Sequence, residues 1–413
     1  MKRLIPFLLM AIAFAACNVD DSQLLTYKIN EPIFVDKAEF RSAVQVTSQK
    51  KDLTTIGKMC YYEGYLFISD PGAGIHILDN TSPANPKLIA YIEVPGNYDI
   101  TVCNQILYAD AMMDLLWFDI SNPSSPEFKG RIEDAFQCFA YPETGNDYYC
   151  DWEAVSEGQQ NGKLVLGWTV GERTEKIQHG DWDDLYTDSG PNSVGSKGTT
   201  GSMSRFTLYD NYLYVVMNYR MTIFDLSAET PVKREETTYL EWDVETIFSY
   251  KDNLFMGTPT GLLIYSVTDP LSPQYCSSIQ HVYGCDPVVV ENDIAYVTIH
   301  SGNSCGQDNN QLIIIDVSNV LAPKEIVSYA MTHPKGLGID QGILFLCDDG
   351  LKVFKAEDPQ TIMANRLAHY KGMDGYDVIP FNNILMMISD KGLYQYDYSN
   401  LNDIKFLSRI PIK

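Results

Sequence analysis

Short apolar runs of four to seven residues recur along the whole chain, set apart by clusters of Gly, Asn, Asp, Ser and Pro. Almost no stretch carries the three-to-four-residue apolar spacing of an amphipathic helix, so the runs predict β-strands joined by tight turns. One pattern repeats in register. Gly74-Ile75-His76-Ile77-Leu78-Asp79 leads into Asn80-Thr81-Ser82-Pro83-Ala84-Asn85-Pro86. About 40 residues later Leu116-Trp117-Phe118-Asp119 leads into Ile120-Ser121-Asn122-Pro123-Ser124-Ser125-Pro126, the period of a four-stranded blade. Further copies end at Asp225, Tyr265, Asp316, Lys355 and Asp397, which makes seven units, with the aspartate replaced in two.

Each unit reads alike. A β-branched or aromatic run reaches a turn such as Glu63-Gly64 or Asp252-Asn253, and a second strand follows, as in Tyr65 to Ile68. The strand ending in Asp comes next, then a Ser/Pro turn and a fourth, amphipathic strand such as Lys87 to Val94. The Asp suits an Asx turn and the Pro refuses ladder pairing, so Asp79, Asp119, Asp225 and Asp316 are structural punctuation and not catalytic groups. Seven four-stranded units predict an all-β fold, a seven-bladed β-propeller of antiparallel blades with one long inserted loop region, in which radial packing hides the sheet edges. Arg41 to Val46 is expected as an extra outer strand, sealing the last blade against the first or lying along the body.

The recurring turn, together with Leu312-Ile313-Ile314-Ile315-Asp316, resembles the LVIVD repeat family of bacterial cell-surface proteins. The resemblance runs from about Ile56 to the C-terminus and is broken by one insertion. It departs at Tyr265, at Lys355 and in the Pro-poor turn after Asp225. It implies a cell-surface propeller and no single activity.

The first residues explain how such a protein would leave the cytoplasm. Lys2 and Arg3 precede an apolar run from Leu4 to Phe14, too short for a permanent membrane span. The run ends Ala15-Ala16-Cys17, which resembles a lipobox despite Phe14 where leucine is usual. Residues 1–16 are thus expected as a signal peptide, Cys17 as the lipidated residue and 17–36 as an acidic tether. Asp20-Asp21 resembles the surface-export signal of Bacteroidetes lipoproteins. The expected location is the outer membrane, exposed at the cell surface, with the membrane contacted through the lipid alone. A net charge of -24 repels nucleic acid and anionic lipid and is compatible with cations, neutral sugars or basic proteins. Of nine cysteines, Cys138/Cys150 and Cys276/Cys285 are near enough in sequence to pair locally, and no zinc spacing occurs.

Residues 37–413 are expected as one propeller domain with an insertion at about 137–200. A second long loop runs from Ser301 to Asn310. Both emerge on one face of a four-stranded meander, where binding usually lives. The insertion holds Trp152, Trp168 and Trp182, with acids at Asp181, Asp183, Asp184 and Asp188. Rings beside carboxylates suit a glycan, and equally suit a small local core. The acids are also candidate oxygen ligands for calcium, although the EF-hand spacing is missing. Asp99, Asp243, Asp286 and Asp377 open the first strand of four units, with Lys335 in the matching place of a fifth. Such a ring at the channel mouth would form either an acidic funnel or a set of braces between blades. His179 and His300 lie in or beside the long loops. No nucleophile elbow, Walker loop, dinucleotide fingerprint or metalloprotease helix occurs, and no cofactor is implied. The leading functional expectation is a binding or interaction module for a glycan or a protein. The alternatives are a propeller lyase or hydrolase acting on a polysaccharide, and a structural subunit of an outer-membrane complex.

Overall fold

The computed structural model describes residues 23–47, 49–55, 57–137, 142, 148–177, 201–280, 287–300 and 310–413. The chain forms two compact units, Met1–Phe34 with Pro142–Pro191 and Val35–Tyr141 with Asn192–Lys413.

The larger unit contains seven antiparallel sheets of the expected meander. Blade 1 is Met59–Tyr62, Tyr65–Asp70, Gly74–Asp79 and Lys87–Glu93. Blade 2 is Ile100–Cys103, Ile106–Ala111, Asp114–Asp119 and Glu127–Ile132. Blade 3 opens with Phe206–Tyr209, Tyr212–Met217 and Arg220–Asp225; its fourth strand is split into Val232–Lys233 and Thr238–Tyr239. Blades 4, 5, 6 and 7 begin with Thr246–Tyr250, Val288–Glu291, Leu337–Asp340 and Gly375–Phe381. Apolar residues on both faces of the second and third strands fill the core between blades, as in the cluster of Phe67, Ile77, Ile92, Leu107, Leu116 and Phe118.

The repeat residues act as punctuation. Asp119, Asp225, Asp316 and Asp397 each accept the backbone N–H two residues on, at 2.8–2.9 Å. Asp79 accepts from both the backbone and the hydroxyl of Thr81, and those bonds hold its carboxyl below the ordinary range. In blade 4, Ser266 takes the place of the aspartate and its hydroxyl accepts from Thr268 N at 3.3 Å. A β-bulge recurs between the third and fourth strands of blades 1, 2, 4, 5, 6 and 7, where one extra residue re-aims the outer strand.

Blade 7 closes on blade 1 through side chains. Met386, Ile388 and Leu393 pack on Met59, Leu66, Ile68 and Leu78. The buried amides of Asn80 and Gln395 bond reciprocally at 3.0 and 2.7 Å. Sealing by an outer strand is not what the segment after Asp36 does. Lys37–Ser42 is a short helix, and Gln45–Thr47 adds a fifth strand to blade 1 itself, opposite Tyr91 to Glu93.

Gly392 shows how tightly the third and fourth strands of blade 7 are drawn together. Its φ is +127°, and an added Cβ would lie 2.0 Å from Ile410 O. Gly392→Ala is expected to cost at least about 2 kcal/mol, because it adds strained backbone to a clash that backbone cannot relieve. Urea unfolding of the variant checks this, and a cost below 1 kcal/mol would contradict it.

The smaller unit departs from the expected single domain and from the expected tether. Gln23–Asp36 is a strand at the centre of a three-stranded sheet, flanked by Tyr149–Cys150, parallel to it, and by Lys163–Ile177. Helix Trp152–Gln160 is capped by Asp151, whose carboxylate accepts Ala154 N and pairs with Arg173. Gly158 is required by packing, since a Cβ there would meet the Phe34 ring at 2.3 Å. Among the described residues Cys60, Cys103, Cys150, Cys276 and Cys347 are free thiols; Cys138 and Cys285, the expected partners of Cys150 and Cys276, lie outside the described residues.

Candidate functional site

The turn joining the first two strands of each blade supplies the register of the channel. Its first residue is Glu63, Asn104, Asp210, Lys251, Asn292, Gln341 or Asn382, and all seven have φ between 45° and 52°. Counting back five positions gives Lys58, Asp99, Arg205, Thr246, Pro287, Gly336 and Asp377 as the equivalent residues. Asp99 and Asp377 therefore belong together. Asp243 lies three positions early and Lys335 one position early, and Asp286 is outside the described residues. Lys58 and Arg205 are members of the ring that a search for aspartates after aromatics passes over. Counting from the turn would have found them.

The ring is mixed in charge. Lys58 Nζ lies 2.5 Å from Asp99 Oδ2, and both side chains are buried. Burial draws the Lys58 ammonium below its ordinary pKa even with that carboxylate beside it. Asp99 also accepts Arg205 N at 2.7 Å and lies 3.0 Å from Ser204 Oγ. Behind it, Asp110 Oδ1 accepts the N–H groups of Tyr98 and Asp99 and the Asn97 amide. Desolvation pushes the Asp110 carboxyl up to about 7. Lys335 turns instead to Asp374, at 2.7 Å, and stacks on the Tyr376 ring.

Residues 201–205 cross this mouth. At one end Ser202 Oγ lies 3.1 Å from Asp377 Oδ1 and accepts Leu337 N at 3.0 Å, holding blades 6 and 7. At the other, Ser204 and Arg205 bind Asp99 of blade 2, and Ser204 O accepts Ile247 N of blade 4. Gly201, with φ +115°, is required for the approach, because a Cβ would stand 2.3 Å from Val378 O. The mouth thus carries the chain's own backbone in place of an open acidic funnel. Asp377 Oδ2 is left buried with no hydrogen bond, and desolvation pushes its carboxyl up to about 7.

In the smaller unit, Trp152 and Trp168 meet edge to face with ring centroids 5.6 Å apart. Trp152 is 48% exposed and Trp168 half-buried. Leu166, Trp168 and Val170 alternate along Lys163–Ile177, so their side chains share one side of the strand, and the two aliphatics are exposed. His300 meets His333 ring to ring at 5.8 Å. His179, Asp181, Trp182, Asp183 and Asp184, like Cys17, fall outside the described residues, and with them the proposed calcium cluster. Among the described residues no group of three metal-binding side chains comes together. A polar cluster the sequence did not suggest lies inside blade 1. There Asp70 accepts the Tyr91 hydroxyl at 3.0 Å, close to Lys51 and the buried His76. Burial pulls the His76 imidazole down to about 4, so it is neutral at neutral pH.

These seven meandering sheets, whose first strands surround a channel mouth, define a β-propeller. LVIVD repeats are found at four positions in the chain, residues 59–98, 99–134, 200–232 and 305–331. Similar solved structures include Hsv2p of Kluyveromyces lactis, 10% identical over 88% of this chain and 99% of that one, with a TM-score of 0.50. Another is BamB of Moraxella catarrhalis, 10% identical over 89% of this chain and 97% of that one, with a TM-score of 0.48. At such identity the likeness is one of fold, which does not itself imply function. No curated protein matches the sequence significantly.

Proposed function

We propose that this protein is a cell-surface lipoprotein of the outer membrane, anchored through Cys17, that captures an extracellular glycan on its smaller unit. The observation that carries the reading is the face formed by Trp152, Leu166, Trp168 and Val170, apolar and accessible on a capped helix and a long strand. An indole face covers the CH face of a sugar ring, and rigid elements hold it at little entropic cost. The net charge of -24 supports a neutral glycan over a polyanionic one. The occupied channel mouth moves the expected binding surface away from the acid ring. Propeller blades and their repeats serve here as a scaffold.

Retention on a panel of immobilised neutral polysaccharides tests this. Trp152→Ala and Trp168→Ala are each expected to weaken retention about tenfold, the value of one lost ring contact. Far-ultraviolet circular dichroism should stay that of the parent protein. Unchanged retention in both variants would sink the placement.

A further inference from the structure

At the opposite end of the propeller, the last residue of the first strand braces the next blade at five of the seven junctions. Tyr62 accepts Gln105 N at 3.2 Å, Tyr209 donates to Asp252 at 2.7 Å, and Tyr250 accepts Asp293 N at 3.1 Å. Glu291 accepts Gln341 N and Gly342 N at 2.9 and 2.7 Å, and Asp340 accepts the Tyr398 hydroxyl at 2.6 Å. Cys103 and Phe381 hold this position at the other two junctions. Phe381 stands where blade 7 meets blade 1. It has no polar atom to offer, and the N–H of Gly64 is taken by the Tyr61 hydroxyl at 3.1 Å. Phe381 lies against the Tyr61 ring at 4.8 Å and remains 45% exposed. Beside it opens a cavity of about 490 Å³, lined by Tyr61, Tyr62, Glu63, Phe381 and Asn382 among others.

We propose that this seam cavity binds an organic ammonium cation of the trimethylammonium type. Three aromatic rings, Tyr61, Tyr62 and Phe381, and the Glu63 carboxylate line it, the mix of π surface and negative charge that such a head group selects. Glu63 lies beside the Tyr62 hydroxyl and forms no ion pair with a basic side chain among the described residues, so no cation of the chain neutralises its charge. A sugar is the poorer fit. The hydroxyls of Tyr61 and Tyr62 each already accept a backbone N–H, from Gly64 and Gln105, and the rest of the named lining offers only Asn382 and Glu63 to a whole ring of hydroxyl groups. The volume suits a small head group with a short substituent. This site goes beyond the glycan surface and stands or falls without it.

The test titrates the purified full chain, by calorimetry, with choline and with 3,3-dimethylbutan-1-ol, its neutral isostere. Choline should saturate a single site, and the isostere should bind at least about tenfold more weakly, since it keeps the shape and loses the charge. Glu63→Gln, on an exposed turn, should weaken choline about tenfold. Phe381→Leu keeps apolar packing on Tyr61, removes the π face, and should abolish the saturable signal. Equal binding of the two probes, full binding by Phe381→Leu, or no saturation by choline up to roughly 50 mM would overturn the proposal.

Discussion

Lys58→Met is expected to lower the unfolding free energy of the propeller by about 3–5 kcal/mol, the cost of leaving a buried charge without its partner. Lys58 and Asp99 side chains are only 3% and 1% exposed, and their charged atoms are 2.5 Å apart. Met matches the lysine stem in bulk, so the loss is electrostatic and not a cavity. Without the ammonium, Asp99 faces Asp110 across a region from which water is excluded, and the Arg205 and Ser204 contacts at the mouth are weakened with it. Urea unfolding at pH 8, followed by tryptophan fluorescence, reads the change. The double variant Lys58→Met/Asp99→Asn should recover more than half of the loss, because the uncompensated charge is gone while an acceptor for Arg205 N stays. A single-variant cost below about 1 kcal/mol would mean that the pair does not hold the mouth together.

The second large effect is on the dependence of stability on pH. Asp377 ionises in the native state at about 7, against about 4 in an unfolded chain. The native state therefore holds the proton more tightly. The contribution is complete below about pH 4 and is lost as pH rises through 7, with a slope of up to about 1.4 kcal/mol per pH unit. Asp377→Asn carries no ionisable proton and keeps an oxygen for Ser202 and Val378. Relative to the parent, the variant should gain stability between pH 5 and about pH 7 and level off towards pH 8. Thermal melts at unit steps across that range check the sign. Asp110 titrates in the same direction and keeps part of the slope in the variant. Parallel melting curves for variant and parent would show that burial of this carboxyl does not control stability.

Much of the scaffold was legible because its signals are local. An apolar run has a length, a turn needs Gly, Asn or Asp at defined places, and an Asx turn needs its acceptor two residues before the donor. Those requirements recur every forty or so residues, and they located the third strands, the turns after Asp79, Asp119, Asp225, Asp316 and Asp397, and the seven blades. The candidate site was legible only in part. Trp152 and Trp168 were singled out by residue type, but nothing in their spacing says that a capped helix and a strand bring the rings to 5.6 Å. The channel ring was misregistered, because an aromatic before an aspartate is a cue of composition. The turn with φ near 50° is the cue of geometry.

The sequence by itself determined the strands, their order within each blade and the roles of the repeated aspartates. These follow from backbone sterics and short-range hydrogen bonding within a few residues. The tertiary structure decided what depends on groups far apart in the chain. Ser202 meets Asp377 across 175 positions, and strand Gln23–Asp36, expected as a leash, pairs in parallel with Tyr149–Cys150. It also decided that the mouth is crossed by backbone and that the seam at Phe381 lacks the polar brace found at most other junctions. Such pairings are set by desolvation and close packing in three dimensions, and a linear pattern carries no record of which buried charge will face which.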